Sequence, residues 1–541
     1  MEMIRGTTLK TFLLISLSVV ATLSVCESLP LSTKGRWIVD DVTGRRVKLK
    51  CVNWISHTES MITEGLHSQP IGDIADKISE MGFNCVRLTY PTFLWTRVDY
   101  YNKTVAESLD SLNATEAKAM IAVQNPRFLS LPLRESYERV VGELGRRGLM
   151  LILDNHVSKP MWCCEREDGN GFFGDKFFDP EEWIEGLSQV ANRFKDESHV
   201  IGMSMRNELR GQRSNQKDWY KYMREGAKAI HSINPNLLVV VSGLNFDNDL
   251  SFLKKKPFRL TLNNKVVFEA HWYSFDATEQ WNDKPPEQEC KDRAREFYRD
   301  AGFLTEGDNP APLFISEFGM DLRMGNVVDN RYFNCYLPTV AAKDLDWALW
   351  TLQASYYYRQ GSLFLEEVYS VLDFNWEKPR NPQFLEKLTI LQEMLQDPNS
   401  EASPYYVIVH AKSGLCVNVD GEKKVHGSGC RHRTKWTHSG DGWPIELMGS
   451  NLCLKAVGDG RPVKVSTDCR SQQSRWRRVS KEKLHLAVRD EHDHTESLCL
   501  DASSSDPSSI VTRKCACKEG DLNCHHEEQS NWFQLVPSNI P

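Results

Sequence analysis

Eight short apolar runs alternate with amphipathic helical segments between Trp37 and about Leu395, and few architectures accommodate that order. The runs are Val47–Val52, Asn84–Leu88, Leu149–Asp154, Val200–Met205, Leu237–Val241, Val266–Ala270, Leu313–Ser316 and Trp347–Thr351. Most are almost continuously apolar, as parallel strands covered on both faces must be. Between them, Pro132–Arg147 carries Tyr137, Val140, Val141 and Leu144 at helical spacing, and Asp179 is placed to cap a helix over Pro180–Phe194. Gln216–Ile233 and Pro382–Leu395 have the same periodicity. Eight strand–helix units predict an α/β fold, a (β/α)8 barrel over residues 35–397. A doubly wound open sheet fits less well, because no Gly-rich dinucleotide turn follows the first run.

Residues 398–404 read as a linker within the polar, proline-containing stretch Gln396–Pro404. From 405 to 541 short strands, Gly and Ser turns and cysteines replace the helical periods. Leu415–Cys416–Val417–Asn418, Leu452–Cys453–Leu454–Lys455 and Leu498–Cys499–Leu500–Asp501 form a weak internal repeat. Each is followed by a second cysteine (Cys430, Cys469, Cys515) and then by a tryptophan (Trp443, Trp476, Trp532). Three such units predict a small three-fold all-β module.

A (β/α)8 barrel collects its chemistry where strands give way to loops on one face. The second run ends near Arg87, the third at Asp154–Asn155–His156, and the fourth at Arg206–Asn207–Glu208. The sixth ends at Glu269–Ala270–His271–Trp272–Tyr273, the seventh at Ser316–Glu317–Phe318, and the eighth carries Trp350. Hydrolysis of a glycosidic bond with retention needs two carboxyl groups roughly 5 Å apart, one protonated and one ionised. Glu208 and Glu317, over a hundred positions apart, are the candidates. Arg87 and Tyr273 are expected to hold Glu317 ionised, so that the two pKa values separate. Asn207 is suited to a sugar hydroxyl, and Trp350 to an apolar floor under the ring. Trp54, after the first run, is a candidate subsite residue.

With these residues in order, the segment from Trp37 to about Leu395 resembles the cellulase-type glycoside hydrolase family 5. Its pattern is Arg after strand two, His after strand three, Asn-Glu after strand four and His-x-Tyr after strand six. Glu after strand seven and Trp after strand eight complete it. Arg87, His156, Asn207–Glu208, His271–Trp272–Tyr273, Glu317 and Trp350 match it throughout. The resemblance implies a retaining mechanism with Glu208 as acid/base and Glu317 as nucleophile. It implies a β-linked glucan or mannan as substrate, and no cofactor or metal. Residues 405–541 resemble a ricin-B-like β-trefoil lectin. They depart from the family's Gln-x-Trp ending, with Asp441, Ser474 and Ser530 two positions before the tryptophans. The family's sugar-contacting acid survives only as Asp501. That resemblance implies pairs Cys416–Cys430, Cys453–Cys469 and Cys499 with Cys515 or Cys517, and a carbohydrate ligand at the third repeat.

Residues 1–28 read as a secretory signal: Arg5 and Lys10 precede the apolar run Thr11–Ala21, which is short for a membrane span. Removing Cys26 leaves fourteen of the fifteen cysteines, an even number that suits disulfides outside the cell. Zinc at Cys515, Cys517, Cys524, His525 and His526 is the competing reading for the last cluster. Cys163 and Cys164 are expected to staple loops to Cys290 or Cys335. A net charge of -7 leaves no basic field for nucleic acid, and no membrane partner is expected after signal cleavage. The rival functional reading is a secreted carbohydrate-binding protein with an inactive barrel.

Overall fold

The computed structural model describes residues 30–480, 483–490, 497–503, 505–515 and 529–540. The segment read as a signal and the residues Cys517, Cys524, His525 and His526 lie outside the described residues. Among the described residues no helix is long and apolar enough to cross a membrane.

Eight parallel strands close into a barrel: β1 (Lys50–Trp54), β2 (Cys85–Pro91), β3 (Met150–Val157), β4 (Val200–Ser204), β5 (Leu238–Val241), β6 (Val266–His271), β7 (Leu313–Phe318) and β8 (Asp346–Leu349). Neighbours follow chain order, and β8 pairs with β1 to complete the ring. The principal outer helices are α1 (Ile71–Glu80), α2 (Leu133–Arg146), α3 (Pro180–Arg193), α4 (Gln216–Ile233), α5 (Pro286–Asp300), α6 (Val327–Lys343) and α7 (Pro382–Glu393). After β5 a short 3-10 turn, Ser251–Lys254, stands where the other units carry a helix. Asp179 caps α3 through the N–H groups of Glu181 and Glu182, as expected from Asp-Pro at a helix start.

Strand alternation divides the side chains into two sets. Cys51, Cys85, Met150, Ile152, Ile201, Leu238, Val240, Val267, Phe314 and Ala348 form one cluster within the barrel. Leu31, Ile38 and Leu49 join it from a hairpin (Leu31–Lys34 with Trp37–Asp40). That hairpin explains why β1 starts at Lys50 rather than Val47: the Val47 N–H is taken by the Ile38 carbonyl. Nearby, buried Arg46 pairs with Asp346 at 3.0 Å, and Lys48 with Asp344 at 2.8 Å. The outward-facing strand residues pack under the helices in the larger core.

The residues 396–400 are packed rather than loose. The Asp397 N–H donates to Asn539, and Lys34 donates to Asn399. Beyond them lies a separate all-β region whose first strand, Tyr405–His410, pairs with its last, Phe533–Ser538. Cys416–Cys430, Cys453–Cys469 and Cys499–Cys515 are bonded. The buried tryptophan of the first repeat is Trp436, not Trp443, which is exposed. Trp436 donates to the carbonyl one residue after Cys416, and Trp476 to the one after Cys453. The barrel cysteines also differ from expectation. Cys290 bonds Cys335 between α5 and α6, Cys163 bonds Cys164, and Cys51 bonds Cys85. Cys51 and Cys85 are register partners on adjacent strands, which places their side chains together.

Helix packing yields a first prediction. Gly226 lies in α4, and a Cβ there would meet the Trp183 ring at 2.6 Å. Trp183 is fully buried in α3, with its indole N–H on the Met205 carbonyl at 2.8 Å, so it has little room to move. Alanine's helix preference over glycine, about 1 kcal/mol, is outweighed by an overpacking cost of about 1–3 kcal/mol. Gly226→Ala is therefore expected to lower the midpoint of thermal unfolding.

Candidate active site

A polar layer lies above the apolar barrel interior. Arg87, on β2, is fully buried and spreads its guanidinium among five groups. Nη1 donates to Glu317 Oε1 at 2.8 Å and to Asn53 Oδ1 at 3.0 Å. Nη2 donates to Asn207 Oδ1 at 2.9 Å, pairs with Asp154 at 3.0 Å, and lies 3.6 Å from Glu269. Burial works against its charge, but Asp154, Glu269 and Glu317 together hold it firmly protonated.

From Arg87 the network runs outward. Burial and then Arg87 hold His156 neutral. Its Nδ1 lies 2.6 Å from Asp154 Oδ2, which fixes the proton there and leaves Nε2 to accept. Asn207 Nδ2 faces that Nε2 at 3.3 Å. Asn207 is thus oriented at both ends, and Glu208 follows it. Glu208 has a positive φ of 45°, uncommon for a residue other than glycine. Its N–H donates to Asp247 Oδ2 at 3.0 Å and its carbonyl accepts from Arg210 at 2.7 Å, so the turn is held from both sides.

Glu317 accepts from Arg87 on one oxygen and from the Tyr273 hydroxyl on the other, at 3.0 Å. His271 stands between the two acids, with Nδ1 2.9 Å from Glu208 and 3.8 Å from Glu317. A carboxylate oxygen of Glu208 and one of Glu317 lie within 4.8 Å of each other. Both glutamates line a cavity of about 520 Å³ together with His156, Asn207, His271, Tyr273 and Trp350. Trp350 lies parallel to the His156 ring at 5.6 Å. Exposed Phe275, stacked on Tyr273 at 4.6 Å, adds an aromatic face to the same cavity.

Two expectations need correction, and one residue has to be added to the site. Trp54 is fully buried, donates its indole N–H to the Glu64 carbonyl at 2.9 Å and packs against Trp376; it is core, not cavity wall. The two carboxyl pKa values are not separated by environment. Burial pushes both Glu208 and Glu317 up to about 7, and the charges of Arg210 and Arg87 on Glu208, and of Arg87 on Glu317, only partly offset it. Two acids this close titrate as a pair that keeps one proton near neutrality. The added residue is Asp247, which sequence reasoning missed. It is fully buried, supports the Glu208 backbone, and lies 3.6 Å from His271 Nε2. Its signal was the Asn- and Asp-rich stretch after the fifth run, where Asn245, Phe246 and Asp247 all take positive φ. Asp501 sits apart, at the edge of a second cavity of about 960 Å³ between α7 and the all-β region, and accepts from Ser530 at 3.0 Å.

Comparison with known proteins agrees with this architecture. The family described as cellulase, glycosyl hydrolase family 5, matches residues 52–355. A glycosyl hydrolase 5 family protein of Chamaecyparis obtusa is 43% identical over 540 residues, covering 97% of this chain and 96% of its own. An endoglucanase of Paenibacillus polymyxa is 25% identical over 345 residues, 59% of this chain and 79% of its own. The hyperthermophilic endocellulase of the archaeon Pyrococcus horikoshii has the same barrel fold, with a TM-score of 0.56 at 20% identity, covering 68% of this chain and all of that one. The chain belongs to glycoside hydrolase family 5, and is a glycosidase.

The raised carboxyl pKa values also bear on stability. A glutamate that titrates near 4.3 when unfolded and near 7 when folded costs the fold stability as pH rises through that interval. Below the interval the cost is absent. Glu208→Gln is therefore expected to stabilise the protein at pH 8 by about 3–4 kcal/mol and to leave it unchanged at pH 4. Thermal unfolding at the two pH values measures the difference.

Proposed function

We propose that the chain is a retaining glycosidase acting on a β-linked glucan or mannan by double displacement. The observation that carries this reading is the approach of the Glu208 and Glu317 carboxylates to within 4.8 Å, the short separation of retaining enzymes rather than the wider gap that seats a water. Retention is general in the family, and the endoglucanase of Paenibacillus polymyxa supports a glucan.

In the first step Glu317, ionised beside Arg87 and Tyr273, attacks the anomeric carbon. Glu208 gives its proton to the departing glycosidic oxygen. The products are a glycosyl ester on Glu317 and a free sugar end. In the second step Glu208, now ionised, takes a proton from water. The water oxygen displaces Glu317 and the starting protonation returns. His271, neutral through burial, sits where it can steady Glu208 in both states. Asn207 offers an amide hydrogen to the sugar, and Trp350 an apolar face.

We propose also that residues 1–28 direct secretion, and that residues 405–541 form a ricin-B-like trefoil taking a carbohydrate at Asp501. The disulfides and the repeated tryptophan-to-carbonyl bond support these readings.

Reducing-sugar release from a panel of mixed-linkage β-glucan, carboxymethylcellulose, glucomannan and xylan, with sizing of products, tests the substrate. Glu317→Ala is expected to lose at least about a thousandfold in kcat. Glu208→Ala should lose comparable activity on polysaccharide but keep more on an aryl glycoside with a good leaving group, and azide should accelerate it. An inactive barrel predicts no release and no difference among the variants. The shared proton predicts a bell-shaped kcat/KM profile centred near neutrality. At low pH Glu317 is protonated and cannot attack; at high pH Glu208 has no proton to give. With the aryl substrate, Glu208→Gln should remove the alkaline limb and keep the acid one.

A further inference from the structure

The loop after β3 brings Trp162, Cys163 and Cys164 to the catalytic cavity, and the chemistry above uses none of them. Cys163 and Cys164 are bonded to each other across a sequence separation of 1. A disulfide stabilises mainly by closing a loop in the unfolded chain, and adjacent residues enclose almost none. The Cys290–Cys335 bond, with a separation of 45, has that rationale; the Cys163–Cys164 bond does not. Its purpose has to be sought in what it touches.

It touches Asn207. The amide nitrogen lies 3.6 Å from Cys164 Sγ and 3.9 Å from Cys163 Sγ. The other contacts of that amide are settled, since its oxygen accepts from Arg87 and its nitrogen faces His156 at 3.3 Å. One amide hydrogen therefore goes to His156, and the other meets sulfur, a weak acceptor. A carbonyl or carboxylate in that place would hold the hydrogen. Sulfur leaves it available for a sugar hydroxyl while excluding water from that side. The disulfide is also a polarizable, largely apolar surface suited to the C–H face of a pyranose. Trp162 extends it, under the Arg359 guanidinium at 3.4 Å from the ring centre.

We infer that the Cys163–Cys164 disulfide is a wall of the substrate cleft, which positions the Asn207 amide and contacts the sugar bound next to Glu208. The inference rests on the glycosidase reading but not on which glycan is cleaved. Reduction would break the S–S bond and give two thiols, each free to rotate away from Asn207 and to compete for its hydrogen.

The test compares wild type with Cys163→Ala/Cys164→Ala on whichever of mixed-linkage β-glucan, carboxymethylcellulose and glucomannan the wild type hydrolyses fastest. KM is expected to rise about tenfold with kcat within about threefold, and the unfolding midpoint to stay within about 2 °C. Cys290→Ala/Cys335→Ala supplies the contrast: a lower midpoint with KM unchanged. A KM within about twofold of wild type for the Cys163/Cys164 pair overturns the proposal. Should that variant fail to fold, wild type is reduced with a phosphine. The phosphine gives two electrons to the two sulfurs, water supplies their two protons, and the water oxygen leaves on the phosphine as its oxide. Alkylation located by mass then reports on Cys163 and Cys164. KM rising in step with their labelling supports the wall; full labelling with KM unchanged overturns it. Failure of the proposed substrate is told apart, because it appears in the wild type alone as inactivity on all three glycans.

Discussion

One buried guanidinium organises the mouth of the barrel. Removing Arg87 from water costs several kcal/mol, about as much as each close carboxylate returns, so a single salt bridge would gain little. Arg87 instead faces Asp154, Glu269 and Glu317 and donates also to Asn53 and Asn207. A lysine could not fill this place, because a point charge lacks the planar fork that reaches acceptors on several strands at once. The same arithmetic governs the acids. Arg87, even with Arg210 near Glu208 and Arg206 near Asp154, does not balance Asp154, Asp247, Glu208, Glu269 and Glu317, and burial pushes all five carboxyls upward. The site therefore retains protons near neutrality, and general acid catalysis needs one of them.

Alternation along the strands explains most of the placement, and a bulge explains the rest. In β2, Cys85 lies in the barrel interior and Arg87, two residues on, stands above it; in β6, Val267 and Glu269 repeat the relation. Such pairs could be read from the apolar runs, as could the ordered set from Arg87 to Trp350. Glu317 obeys a different rule. Phe314 lies inside, so strict alternation would send Glu317 outward with Ile315. The β6–β7 register shifts there, pairing Ala270 with Ile315 but His271 with Glu317. The extra residue turns Glu317 back over the barrel, as bulges near active sites commonly do. No pattern of hydrophobicity marks such a shift.

Other features were illegible for related reasons. Trp54 follows an apolar run and Trp350 lies near the end of one, and only the packing of Trp376 and Glu64 separates core from cavity. Trp436 and Trp443 lie seven positions apart in a chain of short strands, where a small register error exchanges a buried residue for an exposed one. Cysteine pairing depends on distances that topology creates; Cys163 and Cys164 are adjacent in sequence, but only the cavity around them indicates why they pair. Asp247 acts on the backbone of Glu208, and the Asn- and Asp-rich stretch that carries it marks a turn without saying which backbone it supports.

The all-β region is joined to the barrel by polar groups that had no reason to stand out in the sequence. Lys387, buried in α7, donates to Asn334 of α6, and Asn334 donates in turn to Gln529 at 2.6 Å. Burial lowers the Lys387 ammonium to about 7, so much of the cost of enclosing it is met by loss of charge rather than by a counter-ion. The terminal strand Phe533–Ser538 packs against α6, whose preceding loop runs on from Glu317 at the catalytic face. Met324 of that loop also lines the cavity that holds Asp501. The loop that leaves the nucleophile therefore reaches this cavity, which ties the second module to one particular side of the barrel rather than to its periphery at large.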